Sequence, residues 1–296
     1  MAGLVLCEPT DLYNILNQYT TRVSKLSESN YLCLIDARTK AEYDESHVFT
    51  AKRAKRDENG EFVIPACVEV ECVKYCIVYD GNTSSVHGCG PAVECAEVLA
   101  LSTRYPVQIL KGGYEDFSAS YPFLRTQKIL YTPQELENLT LYPVEILPGQ
   151  LYMANLRQAS DRQIHKDLKL KALVNASQDS SHVFKGSDCE VFDIPVADSV
   201  EADLSGYFQN VCMFIESHLR AQGSVLVFSR LGISRCSAVA MAFLVHHLKA
   251  TLKESWAHVL KCKTNARPNR RFVQQLSDWE LRVLGERATD IAEPLY

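Results

Sequence analysis

The stretch SVLVFSRLGISRCSAVAMAFL, from Ser224 to Leu244, combines three kinds of local pattern. It begins with an apolar run typical of a buried β-strand and continues through a short loop that contains Gly232. It ends in an alanine-rich segment typical of a helix. The loop has the spacing Ser-x5-Arg, from Ser229 to Arg235. This order of strand, loop and helix predicts an α/β unit.

The loop has the features of an anion-binding site. A strand that turns into a helix through so short a loop leaves several backbone N–H groups converging at the positive end of the helix dipole. Gly232 permits the close backbone approach that such a turn requires. Arg235 can donate two parallel hydrogen bonds to a phosphate, and Ser234 can orient the loop. We therefore predict a phosphate-binding loop composed of Ser229, Arg230, Leu231, Gly232, Ile233, Ser234 and Arg235.

The composition is that of an ordinary globular protein. The chain has 296 residues, of which 47% are hydrophobic and 23% are charged. This length favours two domains over one. The net charge of −5 argues against a nucleic-acid partner. No apolar run approaches the roughly 20 residues that cross a bilayer, so we expect no membrane partner.

The N-terminal sequence has neither the basic region of a secretory signal nor the arginine-rich pattern of a transit peptide. We therefore expect a cytoplasmic protein, with a pool in an organelle such as the mitochondrion left open. Several of the eleven cysteines, among them Cys33, Cys76 and Cys212, lie within apolar strand or helix patterns. They are expected to be free thiols in a reducing compartment. We expect neither a cofactor nor a metal site.

The first half of the chain alternates strand and helix patterns. Apolar residues at helical spacing from Leu12 to Leu26 predict a helix with Thr10 as its N-cap. The alternation that follows predicts a parallel sheet flanked by helices. Strands are expected at YLCLIDAR (31–38), YCIVYD (75–80) and VQIL (107–110), with a helix over about 91–102.

Two segments of this half resemble the rhodanese family. LIDARTKAEYDESHVFTAKRA (34–54) is similar to the rhodanese signature, and LKGGYEDF (110–117) resembles its late Gly-Gly turn. The resemblance covers about residues 5–125. It implies a rhodanese-like domain over 1–126, followed by a linker over 127–142.

The rhodanese resemblance also locates a departure from the active enzymes. Active rhodaneses carry a nucleophilic cysteine directly after the central strand, where this chain has Asp80. A carboxylate there repels a sulfur oxyanion and cannot carry a persulfide. Cys89 is the one thiol that could replace it, because a helix N-terminus lowers a thiol pKa. No cluster of cations surrounds Cys89 in the sequence, so we predict a non-catalytic binding or structural module.

The segment AKRAKR (51–56) concentrates Lys52, Arg53, Lys55 and Arg56 in an otherwise acidic protein. Such a run is most often solvated surface. The resemblance suggests an alternative. In mitogen-activated protein kinase phosphatases a rhodanese-like domain precedes the phosphatase domain and carries a basic kinase-docking cluster in this region. Electrostatic docking of this kind speeds association and fixes register.

The second half begins after a proline-containing boundary that ends at the turn-prone pair Pro148–Gly149. Its pattern again alternates strands with an amphipathic helix, which predicts a second α/β domain. Strands are expected at GQLYMAN (149–155), LKALVNAS (170–177) and VFDIPVA (191–197), with the helix spanning Phe208 to Leu219.

Four separated segments of this half resemble dual-specificity protein phosphatases. Residues 228–236 are similar to the family signature His-Cys-x-x-Gly-x-Ser-Arg-Ser/Thr. The other three are LPGQLYMANLRQASD (147–161), IPVADSVEADLSGYF (194–208) and RPNRRFVQQLSDWE (267–280). The resemblance implies a phosphatase-like α/β domain over 143–296. It also places Asp198 where the family has its general acid, although an aspartate in a loop equally serves to cap a turn.

Three positions depart from the family signature. Phe228 replaces its histidine, Ser229 its nucleophilic cysteine, and Cys236 its serine or threonine. Phosphoester cleavage in this family needs a thiolate, whereas a serine hydroxyl has a far higher pKa and no neighbouring base is visible in the sequence. Cys236 lies on the helix and is expected to point away from a bound anion. We therefore expect that the chain is not an enzyme, as in pseudophosphatases related to the mitogen-activated protein kinase phosphatases.

These observations support one leading hypothesis and two alternatives. The leading hypothesis is a regulatory adaptor that binds phosphorylated proteins, signalling kinases of the mitogen-activated type or other phosphatases. The first alternative is a scaffold that binds partners through the rhodanese-like domain with no dependence on phosphate. The second is a very weak phosphatase that uses Ser229.

Overall fold

The computed structural model describes residues 3–20, 23–65, 68–130, 132–178, 189–293 and 296. The chain divides into two compact units, Met1–Thr140 and Leu141–Tyr296. Both units have an α/β architecture built around a five-stranded sheet. Among the described helices, none has the length and apolar character needed to cross a membrane.

The first unit contains nine short strands and five α-helices in its described part. Its strands are β1 (Leu4–Cys7), β2 (Leu32–Asp36), β3 (His47–Val48), β4 (Lys52–Arg53), β5 (Lys55–Arg56), β6 (Phe62–Val63), β7 (Tyr75–Tyr79), β8 (Val107–Leu110) and β9 (Arg125–Thr126). Its helices are α1 (Pro9–Leu16), α2 (Lys40–Glu45), α3 (Pro91–Ala100), α4 (Gly113–Ser120) and α5 (Pro133–Glu137).

The main sheet of this unit has the strand order β1-β8-β7-β2-β4, and all its pairings are parallel. The three strands expected from the sequence are confirmed as β2, β7 and β8, and the helix expected over 91–102 is confirmed as α3. Strands β2 and β7 lie side by side within the sheet and are almost wholly buried, which explains their continuous apolar sequences.

The helix predicted from Leu12 to Leu26 is wrong in its extent and in its cap. Helix α1 ends at Leu16, and Glu8 occupies the N-cap position because Pro9 supplies the first helical residue. The side-chain amide of Asn17 donates to the carbonyl of Tyr13 at 2.8 Å. That of Gln18 donates to the carbonyl of Asn14 at 2.9 Å. These amides satisfy carbonyl groups at the helix end, so the chain turns away although the apolar spacing continues.

The second unit has five strands and six α-helices in its described part. The strands are β10 (Val144–Leu147), β11 (Leu151–Asn155), β12 (Leu170–Asn175), β13 (Glu190–Asp193) and β14 (Ser224–Ser229). The helices are α6 (Leu156–Ala159), α7 (Arg162–Asp167), α8 (Ser205–Arg220), α9 (Arg235–Leu248), α10 (Leu252–Cys262) and α11 (Arg270–Leu284).

The sheet of the second unit has the order β10-β11-β14-β12-β13. Strand β10 is antiparallel to β11, and the other pairings are parallel. The strands predicted from the sequence correspond to β11, β12 and β13, and the predicted amphipathic helix to α8. Strand β14 occupies the centre of the sheet and is buried at all its positions. The loop that follows β14 therefore lies at the carboxyl edge of parallel strands, where α/β folds place their ligands.

Helix α9 is the central helix of this unit. Every residue from Arg235 to Val245 is buried, and α8, α10 and α11 all pack against the helix. Alanines at 238, 240 and 242 allow these elements to approach closely. The indole N–H of Trp279 donates to the carbonyl of Ala242 at 3.0 Å. This packing fixes the N-terminus of α9, and with it the start of the candidate site.

Candidate phosphate-binding site

The loop from Ser229 to Arg235 has the geometry of an anion-binding turn. Strand β14 ends at Ser229 and α9 begins at Arg235, so the N-terminus of a 14-residue helix faces the loop. Gly232 has a φ of 70°, a left-handed conformation that favours glycine, and its N–H donates to the carbonyl of Ser229 at 3.2 Å. The loop thus combines a tight turn with the positive end of a helix dipole.

Arg235 is held at the base of the loop with one N–H group still available. Its side chain is 9% exposed, and its Nη1 atom donates to the carbonyl of Val196 at 2.9 Å. The Nε atom is buried and has no hydrogen-bond partner within the described part of the chain. The nearest anionic atom, Oδ2 of Asp198, lies 3.9 Å from Nε, which is too long for a hydrogen bond. A buried donor in this state is suited to an incoming phosphate oxygen.

Asp198 joins three segments that are distant in sequence. Its Oδ1 atom accepts a hydrogen bond from Ser234 Oγ at 2.7 Å and another from Asn269 Nδ2 at 2.9 Å. The backbone N–H of Asn269 donates to Ser234 Oγ at 3.2 Å, and Asn269 Oδ1 accepts from Phe272 N at 3.0 Å as the N-cap of α11. In this structure the hydrogen bonds of Asp198 therefore connect the loop to the start of α11.

Ser229 faces the side chain of Cys236. Both side chains are buried, and Ser229 Oγ donates to Cys236 Sγ at 3.2 Å. Complete burial raises the pKa of the Cys236 thiol. The sequence led us to expect that Cys236 points away from a bound anion, and it did not predict this contact. Phe228, at the end of the same strand, is fully buried.

Two residues of the site carried no predicted role. Asn269 lies in a segment that resembled the phosphatase family, but only the structure shows that it bonds Asp198. Lys263 is fully buried just after α10, whereas lysine is almost always exposed. Nothing in the spacing around Lys263 indicates burial, so no sequence signal could have found it.

In the first unit, the carboxylate of Asp80 fills the loop after β7. It is buried at 5% exposure and accepts hydrogen bonds from the backbone N–H groups of Asn82, Thr83 and Ala92 at 3.2, 2.9 and 3.1 Å. Thr83 Oγ1 donates to it as well, at 2.6 Å. Ala92 lies in the first turn of α3, so the site that would take an external anion holds the protein's own carboxylate. Cys89 lies outside this set of contacts and is exposed.

The four basic residues of segment 51–56 fall on two short strands, β4 and β5, which belong to different sheets. Lys52 and Lys55 are exposed, while Arg53 is half-buried in β4. Arg56 has structural partners. Its Nη1 atom donates to the carbonyl of Gly60 at 2.6 Å, and its Nη2 atom donates to Glu94 at 3.1 Å. Its guanidinium also stacks on the Phe62 ring at 3.8 Å, and the side chain remains 44% exposed.

Comparison with known proteins identifies the class to which this site belongs. Residues 151–282 match the sequence family "Dual specificity phosphatase, catalytic domain". Dual specificity protein phosphatase 4 of Homo sapiens is 30% identical over 274 residues, which are 82% of this chain and 69% of that protein. Dual specificity protein phosphatase 1 of Homo sapiens is 34% identical over 212 residues, 64% of this chain and 56% of that protein.

The crystal structure of human DUSP28 is also similar, with 26% identity and a TM-score of 0.46. The match covers 49% of this chain and 96% of that one. With the identity and coverage found for phosphatase 4, the sequence comparison is decisive. The chain belongs to the dual-specificity protein phosphatase family.

The expectation that the chain is not an enzyme is wrong on these comparisons. It rested on the departures from the family signature at Phe228, Ser229 and Cys236. The matched family is that of a catalytic domain, and relatives at 30% and 34% identity are named protein phosphatases. The rate of phosphoester hydrolysis should therefore be measured together with phosphate binding at this site.

Proposed function

We propose that the second unit binds phosphorylated side chains of signalling proteins in the loop from Ser229 to Arg235 and regulates those proteins through this contact. The observation that carries the proposal is the buried, available Nε–H of Arg235 at the base of a turn that faces a helix N-terminus. Charge-assisted hydrogen bonds from a guanidinium to phosphate contribute about 1.5–3 kcal/mol each. The loop thus offers a dianion both charge and directed donors.

The partner class follows from the relatives and from the two-domain organisation. The relatives named above are dual specificity phosphatases, so phosphotyrosine and phosphothreonine side chains are the ligands to examine first. The resemblance of the first half to a rhodanese-like module, over 1–126 with a linker to 142, supports partners of the mitogen-activated protein kinase type. Other phosphatases that act on those kinases form a second group of partners.

The experiment compares two versions of one peptide by calorimetry. The ligand is a kinase activation-loop peptide that carries phosphothreonine and phosphotyrosine, and its unphosphorylated twin is the control. We expect binding of the phosphorylated peptide at least about tenfold tighter than binding of the twin. Release of inorganic phosphate is measured on the same samples, so that turnover and binding are recorded together. Equal affinity for the phosphorylated and unphosphorylated peptides would contradict the proposal.

A second proposal concerns the first unit, which we take to be a non-catalytic binding module. The observation that favours it is the exposure of Lys52 in β4 and of Lys55 in β5, with the half-buried Arg53 between them in the sequence. An acidic docking groove on a kinase would complement this patch. The self-filled loop around Asp80 agrees with a role in binding rather than in sulfur transfer.

The docking patch is tested by charge reversal. The double variant Lys52→Glu with Lys55→Glu should weaken kinase binding about tenfold or more, and phosphorylation of the kinase should not alter this loss. The matched control is Lys40→Glu with Lys74→Glu, which reverses two exposed charges elsewhere in the same unit. Equal losses in the two double variants would show that net charge, and not this patch, determines binding.

A further inference from the structure

A buried lysine lies in a turn whose backbone is hydrogen-bonded to the phosphate-binding loop. Lys263 follows the end of α10 and has 0% exposure. Its carbonyl accepts a hydrogen bond from Ala266 N at 3.1 Å, which closes a turn. The next residue, Arg267, donates its backbone N–H to the carbonyl of Ile233 at 2.9 Å. This last bond joins the turn that contains Lys263 directly to the loop.

The Lys263 ammonium interacts electrostatically with Cys236, and Cys236 in turn accepts the hydrogen bond of Ser229. The loop itself carries Arg230 and Arg235, and Asp198 Oδ2 lies 3.9 Å from Arg235 Nε. Burial lowers the pKa of Lys263 to about 8, and the interaction with Cys236 opposes this shift. Near pH 7 the side chain is therefore mainly the ammonium.

Burial of an ammonium raises the free energy of the folded protein. An anion held in the adjacent loop lowers that free energy through Coulomb attraction, which remains strong where water is excluded. By linkage, the same interaction free energy strengthens the binding of the anion. A cation beneath the loop therefore favours the loaded site over the empty one.

We propose that Lys263 is a second cation of the phosphate-binding loop, acting from beneath it behind the Ser229–Cys236 pair and not by direct contact. Arg235 supplies directed hydrogen bonds, and Lys263 supplies charge. This inference rests on the proposed function, and it assigns to Lys263 a positioning role for phosphate in the loop.

The test compares two variants that remove one charge each. Lys263→Met removes the buried ammonium with similar volume, and Lys261→Met removes an exposed charge two positions earlier. Calorimetry with the phosphorylated activation-loop peptide should show affinity about tenfold weaker in Lys263→Met and within about twofold of the unaltered chain in Lys261→Met. Equal affinity of Lys263→Met and the unaltered chain would overturn the inference.

A pH series on the unaltered chain provides a second readout that does not depend on the folding of a variant. Between about pH 7 and pH 9.5 the phosphate monoester remains a dianion, and burial keeps Cys236 a thiol. The affinity should fall with a midpoint near the Lys263 pKa of about 8. The decline should be absent in Lys263→Met.

Failure of this inference and failure of the proposed function give different results. Phosphate-dependent binding with a flat pH profile in the unaltered chain would overturn the role of Lys263 alone. Equal affinity for the phosphorylated and unphosphorylated peptides would overturn both. A decline of the same size in Lys263→Met would assign the titration to another group and would also overturn the role of Lys263.

Discussion

The carboxylate of Asp198 accepts a hydrogen bond from the hydroxyl of Ser234 at 2.7 Å, although 36 positions separate the two residues. The same oxygen accepts a hydrogen bond from the side-chain amide of Asn269, and the second carboxylate oxygen lies 3.9 Å from Nε of Arg235. Asp198 thus stabilises the loop and also places a negative charge next to the group that should bind phosphate. The carboxylate that holds the site together therefore also competes with a bound phosphate.

Removal of this charge should strengthen phosphate binding. Asp198→Asn keeps a side-chain oxygen for Ser234 but removes the carboxylate that faces Arg235. We expect the affinity for the phosphorylated peptide to rise about threefold, a modest gain because Asp198 is 37% exposed and solvent screens it. The control is Asp203→Asn, which neutralises an exposed aspartate at the start of α8. Weaker binding by Asp198→Asn would show that the hydrogen bonds of Asp198 contribute more to binding than its repulsion of phosphate costs.

Asn269 should matter for both stability and binding. Asn269→Ala removes the N-cap of α11 and the amide that bonds Asp198, which should lower the free energy of unfolding by about 1–2 kcal/mol. The Tm measured by thermal denaturation should fall by about 4 °C. Asn269→Ser retains a capping oxygen without the amide, so it should recover most of the stability while phosphopeptide affinity stays reduced. Recovery of both properties would assign Asn269 to the cap alone.

A sulfur atom at position 229 should accelerate hydrolysis. A thiol beside Arg235 and the loop N–H groups ionises far more readily than a hydroxyl, so Ser229→Cys should raise kcat/KM for an aryl phosphate by at least about 10²-fold. Adding Phe228→His should raise it further. The assay needs a reductant, because the new sulfur would lie beside Cys236. The control adds Arg235→Met to Ser229→Cys and should lose the gain. No increase in rate would show that the loop does not stabilise a thiolate.

Lys263 should make the stability of the second unit depend on pH in a defined direction. Its pKa is about 8 in the folded chain and about 10.5 when unfolded, so between these values the unfolded state binds more protons and stability rises with pH. Lys263→Met should therefore be more stable than the unaltered chain near pH 7, by on the order of 2 kcal/mol. That gain should shrink towards about pH 10. Denaturant titrations across this pH range measure the difference in the free energy of unfolding between Lys263→Met and the unaltered chain. The corresponding difference for Lys261→Met should not change with pH.

The central part of the fold and the loop could be predicted because their signals are local. Strand β14, the loop with Gly232 and the start of α9 form one continuous segment, and each part has a pattern of its own. Strands β2, β7 and β8 could also be predicted, because buried parallel strands carry short apolar runs. Prediction failed for α1 because the amides of Asn17 and Gln18 end the helix, and apolar spacing does not report such caps.

The rest of the site could not be predicted because it depends on contacts between distant segments. The bonds among Asp198, Ser234 and Asn269 join three parts of the chain, and no spacing rule relates them. Burial of Lys263 depends on how the turn after α10 packs on the loop. The contact of Ser229 with Cys236 requires the actual position of the first turn of α9. In each case tertiary packing supplies information that local patterns lack.

The most direct test of the central claim measures how much phosphate recognition depends on one guanidinium. The phosphorylated activation-loop peptide is titrated by calorimetry into the unaltered chain, into Arg235→Met and into the matched control Arg162→Met, whose exposed side chain lies in α7, outside the loop. The account predicts a loss of about tenfold or more for Arg235→Met, with a change of less than about twofold for Arg162→Met. Phosphate-dependent binding that survives Arg235→Met unchanged would contradict it.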